Sequence, residues 1–103
     1  MSSPTNGERL YRLEFSAAIA QAFRQLLRQA IREGRGQQFR HAIRIVFHRL
    51  ARKPNEVGEA LYRLPALRLR VRSVVVRPLA VHFAVSEDYP LVFIKDVNLL
   101  VGD

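Results

Sequence analysis

Residues 67–73 read LRLRVRS, with Arg68, Arg70 and Arg72 at every second position. In an extended chain successive side chains point to opposite faces, so the three guanidiniums share one face and Leu67, Leu69 and Val71 the other. Arg77 follows five residues after Arg72, and Lys95 stands in the last apolar stretch. Such a set can clamp carboxylates bidentately or track phosphates along a backbone. The competing explanation is ordinary: an antiparallel sheet packed on one side needs a polar outer face. The pattern by itself favours that explanation. Arg68, Arg70, Arg72, Arg77 and Lys95 are nonetheless the candidates for contact with a polyanion or a protein partner.

No other set of side chains spells out a reaction. His41 and His48 stand seven residues apart, two helical turns, too far to share one ion without a ligand between them. His82 falls on the polar side of an expected strand, so no metal site is expected. The GRG at 34–36 lies between helices and lacks the Lys-Ser/Thr of a phosphate loop. Glu56, Glu59, Glu87 and Asp88 fall in expected loops, where solvated charge is the usual state. Ser16 and Ser73 read as a helix cap and a turn residue. There is no cysteine, hence no disulfide and no thiolate ligand or nucleophile. No catalytic residue is singled out and no cofactor is expected.

The elements that must position these residues follow from periodicity. Tyr11, Leu13 and Phe15 alternate with charged residues, the mark of a half-buried strand. Ser16 then caps a helix over about 16–33, along which Ile19, Phe23, Leu26, Leu27, Ala30 and Ile31 recur at helical spacing. Gly34 suits a left-handed stop. A second helix over about 37–52 carries Phe39, Ala42, Ile43, Val46, Phe47 and Leu50 on one side. Arg40, Arg44, His48 and Arg52 occupy another, and Pro54 ends it. After a linker (53–66) come three strands, Leu67–Arg72, Val74–Val85 and Leu91–Leu99, the last two joined by the turn SEDYP. Pro78 requires the middle strand to bulge or unpair. The last strand has apolar residues on both faces and belongs inside the sheet. The expectation is an α+β fold: an N-terminal strand, an antiparallel helical hairpin, then a three-stranded antiparallel sheet with the helices on one face.

A chain of 103 residues, 49% of them hydrophobic, suits one globular domain. Residues 1–9 are expected to be flexible and 10–100 to form that domain. No apolar run is long enough to span a membrane, and the N-terminus lacks the apolar core of a secretory signal, so a cytoplasmic location is expected. The net charge is +8, and all of it lies in residues 1–53, where eleven basic residues face Glu8, Glu14 and Glu33. Residues 54–103 balance six against six. A one-sided positive field attracts nucleic acid or an acidic protein.

The segment NEVGEALYRLPALRLRVRS (55–73) resembles the approach to the second strand, and that strand itself, in the RelE/ParE toxin superfamily. Gly58, Leu61, Leu64, Leu67, Arg68, Val71 and Arg72 occupy places similar to that family's Gly-x-x-Leu-x-x-Leu-x-x-Leu-Arg-hydrophobic-Arg pattern. YRLEFSAAIAQAF (11–23) is similar to its first strand and helix entry. VVVRPLAVHFAV (74–85) is similar to its arginine-bearing third strand, with Arg77 in the arginine's place, and PLVFIKDVNLL (90–100) to its closing strand. The resemblance implies the toxin of a type II toxin–antitoxin pair: a small basic cytoplasmic protein neutralised by an acidic antitoxin. The implied targets are RNA on the ribosome or DNA gyrase. The ribonuclease branch carries basic or aromatic groups in its last strand and tail, whereas this chain reads DVNLLVGD after Lys95. The expectation is therefore an RNA-binding or partner-binding toxin with weak or absent nuclease activity. The alternatives are an mRNA endoribonuclease, ribosome-dependent or free, and a family fold recruited to an unrelated protein contact.

Overall fold

The computed structural model describes residues 10–101; the expected flexible segment 1–9 lies outside the described residues. Ser16 Oγ accepts from the Ile19 amide at 3.1 Å and caps α1 (Ala17–Arg32). The helix ends where Gly34 takes φ +76°. There the amides of Gly34 and Arg35 return to the carbonyls of Ile31 and Ala30 at 3.0 and 2.7 Å. That pair of bonds is a Schellman end, in which glycine meets no Cβ penalty. α2 (Gly36–Arg52) follows at once, and a 3-10 turn at Pro54–Glu56 takes over after it. Phe39, Ala42, Val46 and Leu50 are fully buried along one side of α2, with Ile43 and Phe47 packed beside them.

Five strands form the sheet: β1 (Arg12–Glu14), β2 (Glu59–Leu64), β3 (Leu69–Val76), β4 (Leu79–Ser86) and β5 (Leu91–Leu99). Their order is β1-β5-β4-β3-β2. β1 runs parallel to β5, and every other neighbour is antiparallel. The class is α+β, but the sheet is mixed and has five strands; the expected antiparallel block of three gains β2 from within the supposed linker. β5 lies inside the sheet, as its two apolar faces require.

Two further boundaries differ from expectation. Ser73 is not a turn: it pairs with His82 in the middle of β3. The turn is Arg77 and Pro78, between the paired Val76 and Leu79, where a residue without an amide hydrogen removes nothing from the ladder. Leu67 and Arg68 precede β3; Leu67 ends a 3-10 turn and Arg68 adopts a left-handed φ of 54°.

The helices cover the sheet face that presents Val74, Leu79, Val81, Phe83, Val85, Val92, Ile94 and Val97. Arg70 and Arg72 lie opposite Val85 and Phe83, so they point to this same side. The expectation that they form the outer wet face is overturned. The helical layer sets the core side through Val74 and Val76, and the start of β3 carries the two arginines past that layer. The other face, with Val71, His82, Ala84, Phe93 and Asp96, carries no helix among the described residues.

Candidate functional site

The five candidate residues fall in four places. At the start of β3, the turn between β4 and β5 returns beside the chain because Leu69 pairs with Ser86. Ser86 Oγ accepts from the amides of Asp88 and Tyr89 at 3.2 and 3.0 Å and shapes that turn. Arg68 Nε then donates to both Asp88 oxygens at 2.9 Å. Arg63 grips Glu87 with Nε and with Nη2, the latter at 2.8 Å, and Arg70 Nε approaches the same carboxylate at 3.3 Å. The Arg63 hydrogen bonds, helped by Arg70 and opposed by partial desolvation, hold the Glu87 carboxyl down at about 2. Glu87 and Asp88 are thus not solvated loop acids, as expected from sequence, but the counter-charges of the arginine cluster. The alternation of opposite charges across a hairpin was the signal that could have found them.

Arg72 is spent differently. Its Nε donates to the Val57 carbonyl at 3.1 Å and its Nη2 to the Gly58 carbonyl at 3.2 Å, tying the entry of β2 to β3. Gly58 needs that proximity: it has φ +68°, and a Cβ there would lie 1.9 Å from the Ser73 carbonyl oxygen. Arg77 is exposed in the β3–β4 turn. Seven residues separate it from Arg70, about 23 Å along a strand. No continuous arginine row exists.

Lys95 belongs to the open face. A bulge falls in β5 because His82 pairs with Asp96 while Phe83 pairs with Ile94, which leaves Lys95 as the extra residue. The bulge restores Val97 to the core, where strict alternation would have placed Asp96. β2 has its own bulge at Leu61, between the pairs Ala60–Arg72 and Tyr62–Val71. Both bulge residues line one cavity of about 370 Å³ on the open face, together with Tyr62, Val71, His82 and Asp96. Sequence reasoning placed His82 correctly on a polar strand face. It did not bring His82, Lys95, Asp96 and Tyr62 together, because that requires two bulges and a strand read as linker. An imidazole, an ammonium, a carboxylate and a phenol around one apolar floor can bind an anionic group and exchange a proton with it.

No metal-binding cluster of three His, Cys, Asp or Glu occurs among the described residues, and none of their helices is long and apolar enough to cross a membrane. Compared with models of known families, with curated proteins and with solved structures, the chain matches none.

Proposed function

We propose that this protein is the RelE/ParE-like toxin component of a type II toxin–antitoxin pair, a basic binding protein with weak or absent nuclease activity. The observation that carries the reading is the uncovered sheet face opposite the helical hairpin. Leu61 and Tyr62 are exposed there beside Lys95, and Val75 is exposed farther along the same face. β2 is also a sheet edge, so its outer row of backbone groups can pair with an added strand. Apolar area, an open edge and a lysine suit an extended acidic segment, the kind of antitoxin the sequence resemblance implies.

Expression of the chain alone in a bacterial host should arrest growth. Where the adjacent reading frame encodes a small acidic protein, co-expression with it should restore growth and yield a stable complex. Unimpaired growth, or the absence of any complex with that neighbour, would leave the recruitment alternative in its place. The cavity lined by His82, Lys95, Asp96 and Tyr62 favours one second reading, an endoribonuclease acting on that face.

A further inference from the structure

We infer that the outer face of α2 and the recess at its C-terminal end form a binding surface for the phosphate backbone of a nucleic acid. This inference stands apart from the toxin reading, because the surface lies on the helical layer and not on the open sheet face. His41, Arg44, His48 and Arg52 run along the side of α2 opposite its buried stripe. Two shallow concavities follow them. One of about 370 Å³ is lined by His41, Arg44, Ile45, His48 and Arg49. The next, about 380 Å³, shares His48 and Arg49 and continues past Arg52 and Lys53 to Gly58.

Among the described residues no carboxylate pairs with Arg40, Arg44, Arg49, Arg52 or Lys53. Glu56 lines the far recess and is the one acid in either concavity. Helix-dipole stabilisation accounts for Arg49 and Arg52 in the last turn but not for Arg40 and Arg44 in the first half, where α2 also lacks any acid in its first turn. Like charges at i, i+4, as in Arg40–Arg44, destabilise a helix. Among the described residues no carboxylate offsets this repulsion. Arg52 Nη1 lies 3.2 Å from His48 Nδ1, and since a guanidinium only donates, the imidazole keeps its own N–H at Nε2 as a further donor.

Two features select a nucleic acid over an acidic protein. Protein interfaces draw their energy from buried aromatic and aliphatic anchors. None of the exposed large hydrophobic residues lies on α2; its outer face offers only the half-buried Ile45. Phosphate contacts need cations alone, and here Arg44, Arg49 and Arg52 recur about every helical turn over about 12 Å, long enough to span neighbouring phosphates. The apolar exposed residues Leu61, Tyr62 and Leu67 gather elsewhere, at β2 and the turn after it.

The test measures binding of a labelled RNA of about 20 nucleotides, a DNA duplex and a polyglutamate peptide between about 50 and 200 mM salt. The parent is compared with Arg44→Gln, Arg49→Gln and Arg52→Gln combined. A charge-matched control combines Arg12→Gln with Arg24→Gln and Arg28→Gln, three exposed arginines away from α2. We expect the groove variant to lose about tenfold or more in RNA affinity and its slope against log salt to fall by about two, for three lost contacts. The control should keep the parental slope. Should the triple variant melt lower than the parent, exposed Arg44→Glu alone should still lower the slope by about one, for its single lost contact. The inference is overturned if the parent binds neither nucleic acid, if the groove variant binds as the parent does, or if the control loses as much. Equal capture of polyglutamate, with the same loss in the groove variant, would overturn it in favour of an acidic protein partner.

Discussion

Two arginines converge on Glu87, whose side chain is only 9% exposed. The Arg63 hydrogen bonds, with a smaller share from Arg70, hold its carboxyl at about 2 against an ordinary 4.5. A carboxyl lowered on folding contributes its stabilisation fully above its unfolded value and loses it as pH falls through the folded one. The parent should therefore melt higher than Glu87→Gln at neutral pH, with the gap narrowing from about pH 4.5 and closing near pH 2. A gap that stays constant over that window would mean these ion pairs do not hold the β4–β5 turn. The same pairing changes the meaning of Arg68 and Arg70. Both remain more than half exposed, so solvent screens each pair and neither contributes much to stability by itself. Their role is to fix the turn rather than to present a free row of charge.

At the scale of elements, the helical hairpin was readable because its signals are local. Ser16, Gly34 and Pro54 mark the ends, and the buried stripe of α2 follows the 3.6-residue period. β2 was not readable for an equally specific reason. The bulge at Leu61 breaks the two-residue period, and its edge position leaves five of its six residues exposed. The same kind of defect at Lys95 hid the cavity, since a bulge is set by the partner strand and not by the strand's own sequence. Gly58 is where this region depends most on one residue. A side chain there meets a left-handed backbone, worth about 1–2 kcal/mol of strain, and a carbonyl that must move, worth about 1–3 more. Gly58→Ala should lower the unfolding free energy by about 2–5 kcal/mol in urea titration; a loss below about 1 would show that the β2 entry relaxes freely. In the helical layer, Phe39→Ala should cost about 3–5 kcal/mol, since that ring is fully buried. Phe47 is only half-buried, though it stacks edge-on to Phe23 at 5.6 Å, so Phe47→Ala belongs at or below the lower end of that range. Equal losses for the two would contradict the burial gradient across α2.

Across the whole molecule, the cations of α2 and the open face are kept apart, and this bears on binding against cleavage. The unpaired cations of α2 stand on the helical layer, while Arg63, Arg68 and Arg70 are turned to Glu87 and Asp88. Arg12, on the open side of β1, is paired with Glu14 at 2.7 Å. A phosphate entering the open-face cavity would meet one ammonium, Lys95, beside the opposing carboxylate of Asp96. His82 and Tyr62 can serve proton transfer, typically worth about 10²–10⁴ in rate. Stabilising the added charge of a phosphorane calls for several donors aimed at its oxygens, each worth about 10²–10³. The cavity brings one cation where several are needed. We therefore expect the purified protein to leave RNA intact, with or without ribosomes, under conditions in which it binds RNA. Robust cleavage abolished by both His82→Ala and Lys95→Ala, with melting unchanged, would reverse this and make the open face an endoribonuclease site. Cleavage that survives both substitutions would place the chemistry outside that cavity.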